Sequence, residues 1–284
     1  MNMKPDSSHQ EQIDDAVVES YFDGAGGTNA ASMSMMAHGH NLPSNSVAQR
    51  LANEQRTIGK WLATVPDSGR ILDVGCGAGA WVEIFANRYD SVIGVERSQL
   101  MVDAARIRVS HLANAQILSG DGRKDLPEGP FDMIFVGGLF MYLNDSDAVS
   151  LLQALKDRLS SGGSIILRES TVRTGALLAK GEYQAIYRSV DLYQNLFQEA
   201  DITCLEVQQN AGYRNMVIAE EIVSFRRKWL PFLPKDSALL GNLTWWALRG
   251  IAPISFGALP KALSVVNVPW PRLQNHFFLL QLAS

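Results

Sequence analysis

Three short stretches hold residue types able to bind and polarise a small polar ligand. The first is Ile71-Leu72-Asp73-Val74-Gly75-Cys76-Gly77-Ala78-Gly79-Ala80-Trp81, an apolar run that breaks into an acid and three alternate glycines. Glycine admits positive φ and lets the backbone approach a ligand, while a helix starting just after such a turn offers unpaired N–H groups. The combination suits an anion or a carboxylate, although dinucleotide, flavin and nucleoside binders share it, and so does a plain tight turn. The second stretch, Ser91-Val92-Ile93-Gly94-Val95-Glu96, ends in an acid where a carboxylate can accept both ribose hydroxyl hydrogens. The third closes at Gly120-Asp121-Gly122, where the acid can accept from an exocyclic amine or simply form a turn.

Strands alternating with helices must position these residues. Ile71–Val74 suits a buried parallel strand and Trp81–Ala86 the helix packed on it. Ser98 is an N-cap for a helix from Gln99 to His111, with Leu100, Ala104 and Ile107 expected on its buried side. A third strand spans Ala115–Ser119. A fourth, Phe131–Val136, leads into Gly137-Gly138-Leu139-Phe140-Met141-Tyr142-Leu143. A helix over Asn144–Leu159, with Asp145 and Asp147 at its positive end, closes at Ser160-Ser161-Gly162-Gly163. The fifth strand, Ser164–Leu167, emerges at Arg168-Glu169-Ser170. This order predicts a doubly wound α/β sheet with its ligand site beyond the carboxyl ends of the strands.

The rest of the composition narrows the function. A chain of 284 residues with formal charge −4, acids and bases interspersed, has no electrostatic footprint of a nucleic-acid binder. Its two cysteines, Cys76 and Cys204, have neither disulfide-framework nor zinc spacing, and Met1–Ile13 is polar, so a cytoplasmic protein is expected. Before the glycine turn, Asp14–Phe22 and Val47–Leu62 read as helices, with a glycine-rich hinge or lid loop between them at Asp23–Asn29. His38 and His40 form one HxH with no further His or Cys nearby, which reads as a packed or substrate-facing segment, and no metal is expected.

From about Trp61 to Gln208 the order of landmarks resembles that of the class I S-adenosylmethionine-dependent methyltransferases. ILDVGCGAGAW is similar to that family's first motif and VIGVER to its second strand with the ribose-binding acid. GDGRKDLP is similar to its adenine-side loop, FDMIFVGGLFMYL to its fourth-strand motif, and LLQALKDRLSSGGSIILRES to its helix, turn and fifth strand. The resemblance implies a Rossmann-like seven-stranded sheet, mostly parallel with the last strand antiparallel, helices on both faces, and S-adenosylmethionine as cofactor. It implies that Gly75, Cys76, Gly77 and Gly79 hold the methionyl end with Asp73 near its ammonium. Glu96 would take the ribose hydroxyls, Arg97 lie against adenine, Asp121 and Gly122 meet the adenine amino group, and Gly138 and Leu139 approach from the fourth strand. An NAD-dependent oxidoreductase or epimerase is the competing enzyme; G-x-G-x-x-G is absent, since the turn reads G-C-G-A-G, and no Tyr-x-x-x-Lys pair occurs. A catalytically silent methyltransferase-like binding subunit is the non-enzymatic alternative.

Methyl transfer from a sulfonium asks the protein mainly to align donor and nucleophile and exclude water, and to remove a proton from a hydroxyl or ammonium acceptor. Glu169 at the end of strand five is the leading base, with a salt bridge to Arg168 or a helix cap as its structural alternative; His38 and Tyr142 are further candidates. Tyr183, Tyr187 and Arg188 are expected to form a wall and anion clamp for the acceptor, unless they belong to a capped surface turn. A small-molecule or glycan-type acceptor, methylated at oxygen rather than nitrogen, follows.

The chain thus divides into residues 1–60, an N-terminal lead-in with lid helices; 61–209, the cofactor-binding core; 210–275, an insertion; and 276–284, the last core strand. The insertion has a helix over Asn215–Leu230, six prolines and bulky residues including Trp245, Trp246, Phe256 and Trp270, but no bilayer-spanning run. It reads, in order, as an acceptor lid, a homodimer contact, or a peripheral membrane dock.

Overall fold

The computed structural model describes residues 12–25, 42–266, 268 and 270–282. Two N-terminal helices, α1 (Asp15–Ala25) and α2 (Ser44–Thr57), and the single turn α3 (Gly59–Leu62) precede the sheet. The core then alternates β1 (Arg70–Val74), α4 (Ala80–Ala86), β2 (Ser91–Glu96), α5 (Gln99–Val109), β3 (Ala115–Ser119) and β4 (Phe131–Gly137). After a 3₁₀ turn at Phe140–Tyr142 come α6 (Asp145–Lys156), β5 (Leu159–Val172), the hairpin β6 (Ala176–Ala179) and β7 (Ala185–Ser189), α7 (Val190–Glu199) and β8 (Ile202–Gln209). The insertion contributes α8 (Ala211–Trp229), α9 (Ala238–Gly250), a π-helical turn at Pro253–Ala258 and α10 (Leu259–Val265), and β9 (Gln274–Leu282) closes the chain.

β3, β2, β1, β4 and β5 run parallel in that order, and β9 lies antiparallel between β5 and β8. Strands buried on both faces need apolar residues at every position, and the sheet sorts them with period two. Leu72, Val74, Ile134, Val136, Ile165 and Leu167 enter one core beneath α6 and α7. Ile71, Met133, Phe135 and Ile166 enter the other beneath α3, α4 and α5. A third, smaller core joins Leu42 to Met216, Ile218, Val223, Trp245 and Phe256 of the insertion.

The fold is the doubly wound α/β architecture expected, with nine strands in place of seven. β5 extends past the expected Leu167 to Val172 because its edges find partners: Thr171 pairs with Gln274 of β9 and with Arg188 of β7. The β6–β7 hairpin therefore takes the edge that β4 leaves free, where the sequence suggests a surface turn; its two four- or five-residue strands are too short to announce themselves by alternation. Residues 160–163 also belong to β5 rather than to a separate turn. On α5 the buried side is Met101, Val102, Ala105 and Val109, with Leu100 and Ile107 exposed, because the helix is rotated from the expected stripe to seat Ala105 against Gly79. The proposed loop at 23–29 begins later than expected, since α1 continues through Ala25; residues 26–29, His38 and His40 lie outside the described residues.

Candidate functional site

The carboxyl ends of the parallel strands open into one cavity of about 670 Å³. Its floor on one side is the β1–α4 turn. Gly75, Gly77 and Gly79 all have positive φ, at 69°, 54° and 76°, so the alternate spacing is a conformational requirement of this turn. A Cβ on Gly77 would meet nothing within 4 Å, leaving the position open, whereas Gly79 caps α4 and a Cβ there would stand 3.1 Å from Ala105. Gly79 is accordingly a packing residue that does not line the cavity. Cys76 lines the cavity, with its Sγ seated over Gly94, where a Cβ would approach to 2.8 Å.

Asp73 is buried at the end of β1 and faces the cavity, and its Oδ2 has no hydrogen-bond partner. Burial chiefly pushes its pKa up, to about 8, against the opposing charge of Arg168. Glu96, at the end of β2, accepts from the Gly77 amide at 2.9 Å through Oε2 and from the Arg97 and Ser98 amides at 2.9 Å through Oε1. These bonds fix the carboxylate toward the glycine turn while each oxygen keeps further acceptor capacity. Asp121 lines the cavity after β3, but both of its oxygens accept from Arg123. Burial raises its pKa and the Arg123 hydrogen bonds more than offset this, holding it below the usual carboxylate range. Gly122, Gly138 and Leu139 complete this side.

Helix α1 covers the opening. Glu19 pairs with Arg97 at 2.8 Å, Asp15 pairs with Arg123, and the Ile13 amide donates to Asn144 at 3.0 Å. The two ion pairs are half-exposed and each is worth about 0–1 kcal/mol, so α1 is held by several weak contacts.

Comparison with known proteins bears on this half of the cavity. Residues 71–163, from β1 into β5, match the family model described as a methyltransferase domain. That match covers about a third of the chain. The chain is 31% identical over 111 residues to the trans-aconitate 2-methyltransferase of Rhizobium rhizogenes, a match covering 38% of this chain and 41% of that one. It is 26% identical over 160 residues to phosphoethanolamine N-methyltransferase 3 of Arabidopsis thaliana, over 55% of this chain and 32% of that one. The match thus spans about two fifths or less of either relative's length. The fold is similar to that of an O-methyltransferase from a Brevibacillus brevis multienzyme in complex with S-adenosyl-L-homocysteine, with TM-score 0.57 and 17% identity over 84% of this chain and 74% of that chain. That likeness shows a shared Rossmann-like methyltransferase fold.

The other half of the cavity lies mostly outside the matched methyltransferase segment. Tyr142, Tyr183 and Tyr187 form a hydroxyl chain, with O···O distances of 3.1 and 3.0 Å. Tyr21 and Phe22 of α1 meet Tyr183 and Tyr142 edge to face. Burial chiefly pushes all three hydroxyls of the chain above the ordinary tyrosine pKa. They act here as neutral hydrogen-bonding groups.

Glu169 takes its structural alternative, a cap, and Arg188 is placed differently from expectation. Glu169 is fully buried and absent from the cavity wall; it accepts from the amides of Leu139, Phe140 and Met141 at 3.1, 3.0 and 3.3 Å. Burial first, and against those bonds, raises its pKa to about 7. Its carboxylate organises the 3₁₀ turn that carries Leu139 and Tyr142 and does not reach the cavity wall. Arg188, 1% exposed, is spent on Asp145 and on the carbonyls of Phe140 and Leu143 beneath the same turn, so it is no anion clamp. His38 lies outside the described residues.

Lining residues outside the sequence motifs include Arg50 on α2 and Tyr213 and Glu220 on α8, while Arg168 and Ser170 of the fifth-strand motif also line the cavity without having been assigned a ligand. Buried Glu54 accepts from Arg168 at 3.3 Å and from Asn210 at 2.8 Å and stands 3.6 Å from Arg50, tying α2, β5 and the start of α8 together. Asn210 also caps α8 through the Tyr213 amide at 3.0 Å, and the Tyr213 hydroxyl bonds Ser170 at 2.8 Å. Tyr213 and Glu220 are two turns apart on one face of α8, and both line the cavity. Glu220 is 9% exposed, and its Oε1 has no hydrogen-bond partner. Burial raises its pKa to about 8, with Arg50 pulling the other way. No local motif surrounds Glu220; the available signal is an acid pair, Glu220-Glu221, on an otherwise apolar stretch of helix.

Proposed function

We propose that the protein is an S-adenosylmethionine-dependent methyltransferase acting at oxygen on a small-molecule or glycan-type acceptor. The carrying observation is that one cavity joins the glycine turn, Asp73 and Glu96 to the tyrosine chain and Glu220. Its volume, about 670 Å³, falls in the range of small-ligand sites, roughly 300–1,000 Å³. The residues fit the cofactor: a buried carboxylate oxygen of Asp73 without a partner is what an ammonium group satisfies, and the open Gly77 position admits a chain against the backbone. In this reading Gly75, Cys76 and Gly77 bound the methionyl end, Glu96 takes the ribose hydroxyls, and Arg97, Asp121 and Gly122 border the adenine. Gly138 and Leu139 press from β4. S-adenosylmethionine, when bound, supplies an electrophilic methyl group.

The acceptor then lies against Tyr142, Tyr183 and Tyr187. Their neutral hydroxyls donate to and accept from an uncharged acceptor, which supports oxygen over a cationic amine. With the cofactor bound, the acceptor oxygen would take the methyl group as its C–S bond breaks and the thioether product leaves, and Glu220 in its carboxylate form would take the hydroxyl proton. A carboxyl with a pKa near 8 is matched to a proton transfer near neutral pH. Helix α1 and the insertion exclude water. The two cysteines are free in this fold, consistent with the cytoplasmic location we assign.

Thermal unfolding with S-adenosylhomocysteine and with NAD tests the cofactor, and incubation with methyl-labelled cofactor and fractionated extract tests the transfer. Stabilisation by S-adenosylhomocysteine alone and label in a small-molecule fraction are expected. Stabilisation by NAD alone would overturn the reading. Tight cofactor binding without transfer to any fraction would indicate a binding subunit.

A further inference from the structure

The insertion presents a second surface, whose exposed side chains do not line the cavity. Among the described residues, 13 of the 17 exposed large hydrophobic side chains fall between Phe225 and Val268. On α9, Gly241 and Trp245 are buried toward the third core, while Leu239, Leu243 and Trp246, spaced i, i+4, i+7, make an exposed apolar row. The end of α8 repeats the pattern with Phe225 and Trp229, both 62% exposed, their rings 6.0 Å apart. Lys228 Nζ stands 5.7 Å from the Trp229 ring.

The same segment concentrates positive charge. Residues 225–272 hold seven Lys and Arg and a single acid, Asp236, a surplus of six positive charges in a chain whose formal charge is −4. An exposed apolar row interleaved with cations and tryptophan is the composition of an element that lies in a bilayer interface, where rings sit at headgroup level and cations meet anionic lipid. A second copy of the chain is a poorer occupant, because a two-fold contact sets like charge against like. No helix among the described residues is long and apolar enough to cross a membrane.

We infer that the face formed by the end of α8, α9 and α10 docks on the surface of an anionic lipid bilayer. Glu220 of the cavity and Phe225 of this face share α8, about 7.5 Å apart along its axis at 1.5 Å per residue. Docking therefore brings the cavity close to the headgroups. The inference does not depend on methyl transfer.

Co-sedimentation of the full chain with phosphatidylcholine vesicles, with and without phosphatidylglycerol, tests it. Binding to the anionic vesicles and little to the neutral ones is expected, with the bound fraction falling at ~1 M salt, where the Debye length is about 3 Å. The combined variant Lys228→Glu, Arg249→Glu, Lys261→Glu should lower the partition coefficient about tenfold or more. Leu243→Ser with Trp246→Ser should lower it as well. Circular dichroism of both variants establishes that they are folded; if the serine pair unfolds, the charge reversals on exposed positions decide. Equal binding to both vesicle types, or binding unchanged by the charge reversals, would overturn the inference. So would absence of vesicle binding, whether with a concentration-dependent dimer that the serine pair disperses or with capture of an acidic protein in its place. An S-adenosylhomocysteine thermal shift on the same samples separates this result from the cofactor reading: loss of that shift alone counts against the transferase and leaves vesicle binding standing.

Discussion

On one side of the cavity a ligand meets backbone and strand-end acids, all supplied between Asp73 and Leu139; on the other it meets side chains from α1, α2, β5, β7 and α8, from Tyr21 to Glu220. The first side is assembled locally. Each strand end delivers its own turn, and the Glu96 carboxylate is set by amides within its own βα turn and by Gly77. The second side depends on long-range contacts, such as Glu54 with Asn210 and Tyr142 with Tyr183. Substitutions on the two sides should therefore separate cofactor affinity from acceptor chemistry.

The largest expected effect is on the second side. Glu220→Gln should reduce turnover by about 10²–10⁴-fold, the usual contribution of a general base, with S-adenosylhomocysteine affinity kept. Single-turnover rates against pH sharpen this. The wild type should accelerate as pH rises through about 8, where Glu220 ionises, and the variant should lose that rise. Full activity in the variant would remove Glu220 from the chemistry.

On the first side, Glu96→Ala should weaken cofactor binding by roughly 10- to 150-fold, the loss of a charge-assisted hydrogen bond worth about 1.5–3 kcal/mol. Acceptor KM at saturating cofactor should not move; calorimetry and steady-state kinetics together check both statements. An unchanged affinity would break the ribose assignment.

Tyr183→Phe interrupts the hydroxyl chain at its middle member and should raise acceptor KM by up to about tenfold, for a neutral hydrogen bond worth about 0.5–1.5 kcal/mol, with no change in cofactor affinity. A matching loss on the cofactor side would mean that the two halves are coupled.

A separate expectation concerns the ligand-free protein and its stability. Asp73, Glu169 and Glu220 have pKa values raised to about 8, 7 and 8, above those of an unfolded chain, so between pH ~4.5 and ~8 the folded state holds more protons than the unfolded state. Stability of the ligand-free protein should fall as pH rises through that window. Unfolding midpoints at pH ~5.5 and ~8 check the sign, and Glu220→Gln should flatten part of the slope. A stability that rises over this window would mean that these carboxyls are not buried as described.

How legible each part was follows from its range. The five parallel strands and the glycine turn could be read because buried parallel strands need continuous apolar residues and because the turn's three positive-φ positions favour glycine. Glu96 and Asp121 were legible for the same reason, since the end of a parallel strand is where a doubly wound fold puts its ligand. Glu169 and Arg188 stand at promising places in the sequence, yet only the fold shows that their charges are consumed under the Phe140–Tyr142 turn. The hairpin β6–β7 exists because β5 outruns β4 and leaves an edge, which no local pattern in 176–189 announces.

By itself, then, the order of residues determined the α/β core, its glycine turn, and the acids at its strand ends, because each of these is decided within one βα unit by backbone geometry and apolar periodicity. Only the tertiary structure decided which polar groups face the cavity. Glu220 and Tyr213 reach it because α8 is anchored through Asn210 to Glu54 and Asn275, 156 and 65 residues away. Where a buried charge points depends on the partners that desolvate or satisfy it, and those partners come from distant parts of the chain.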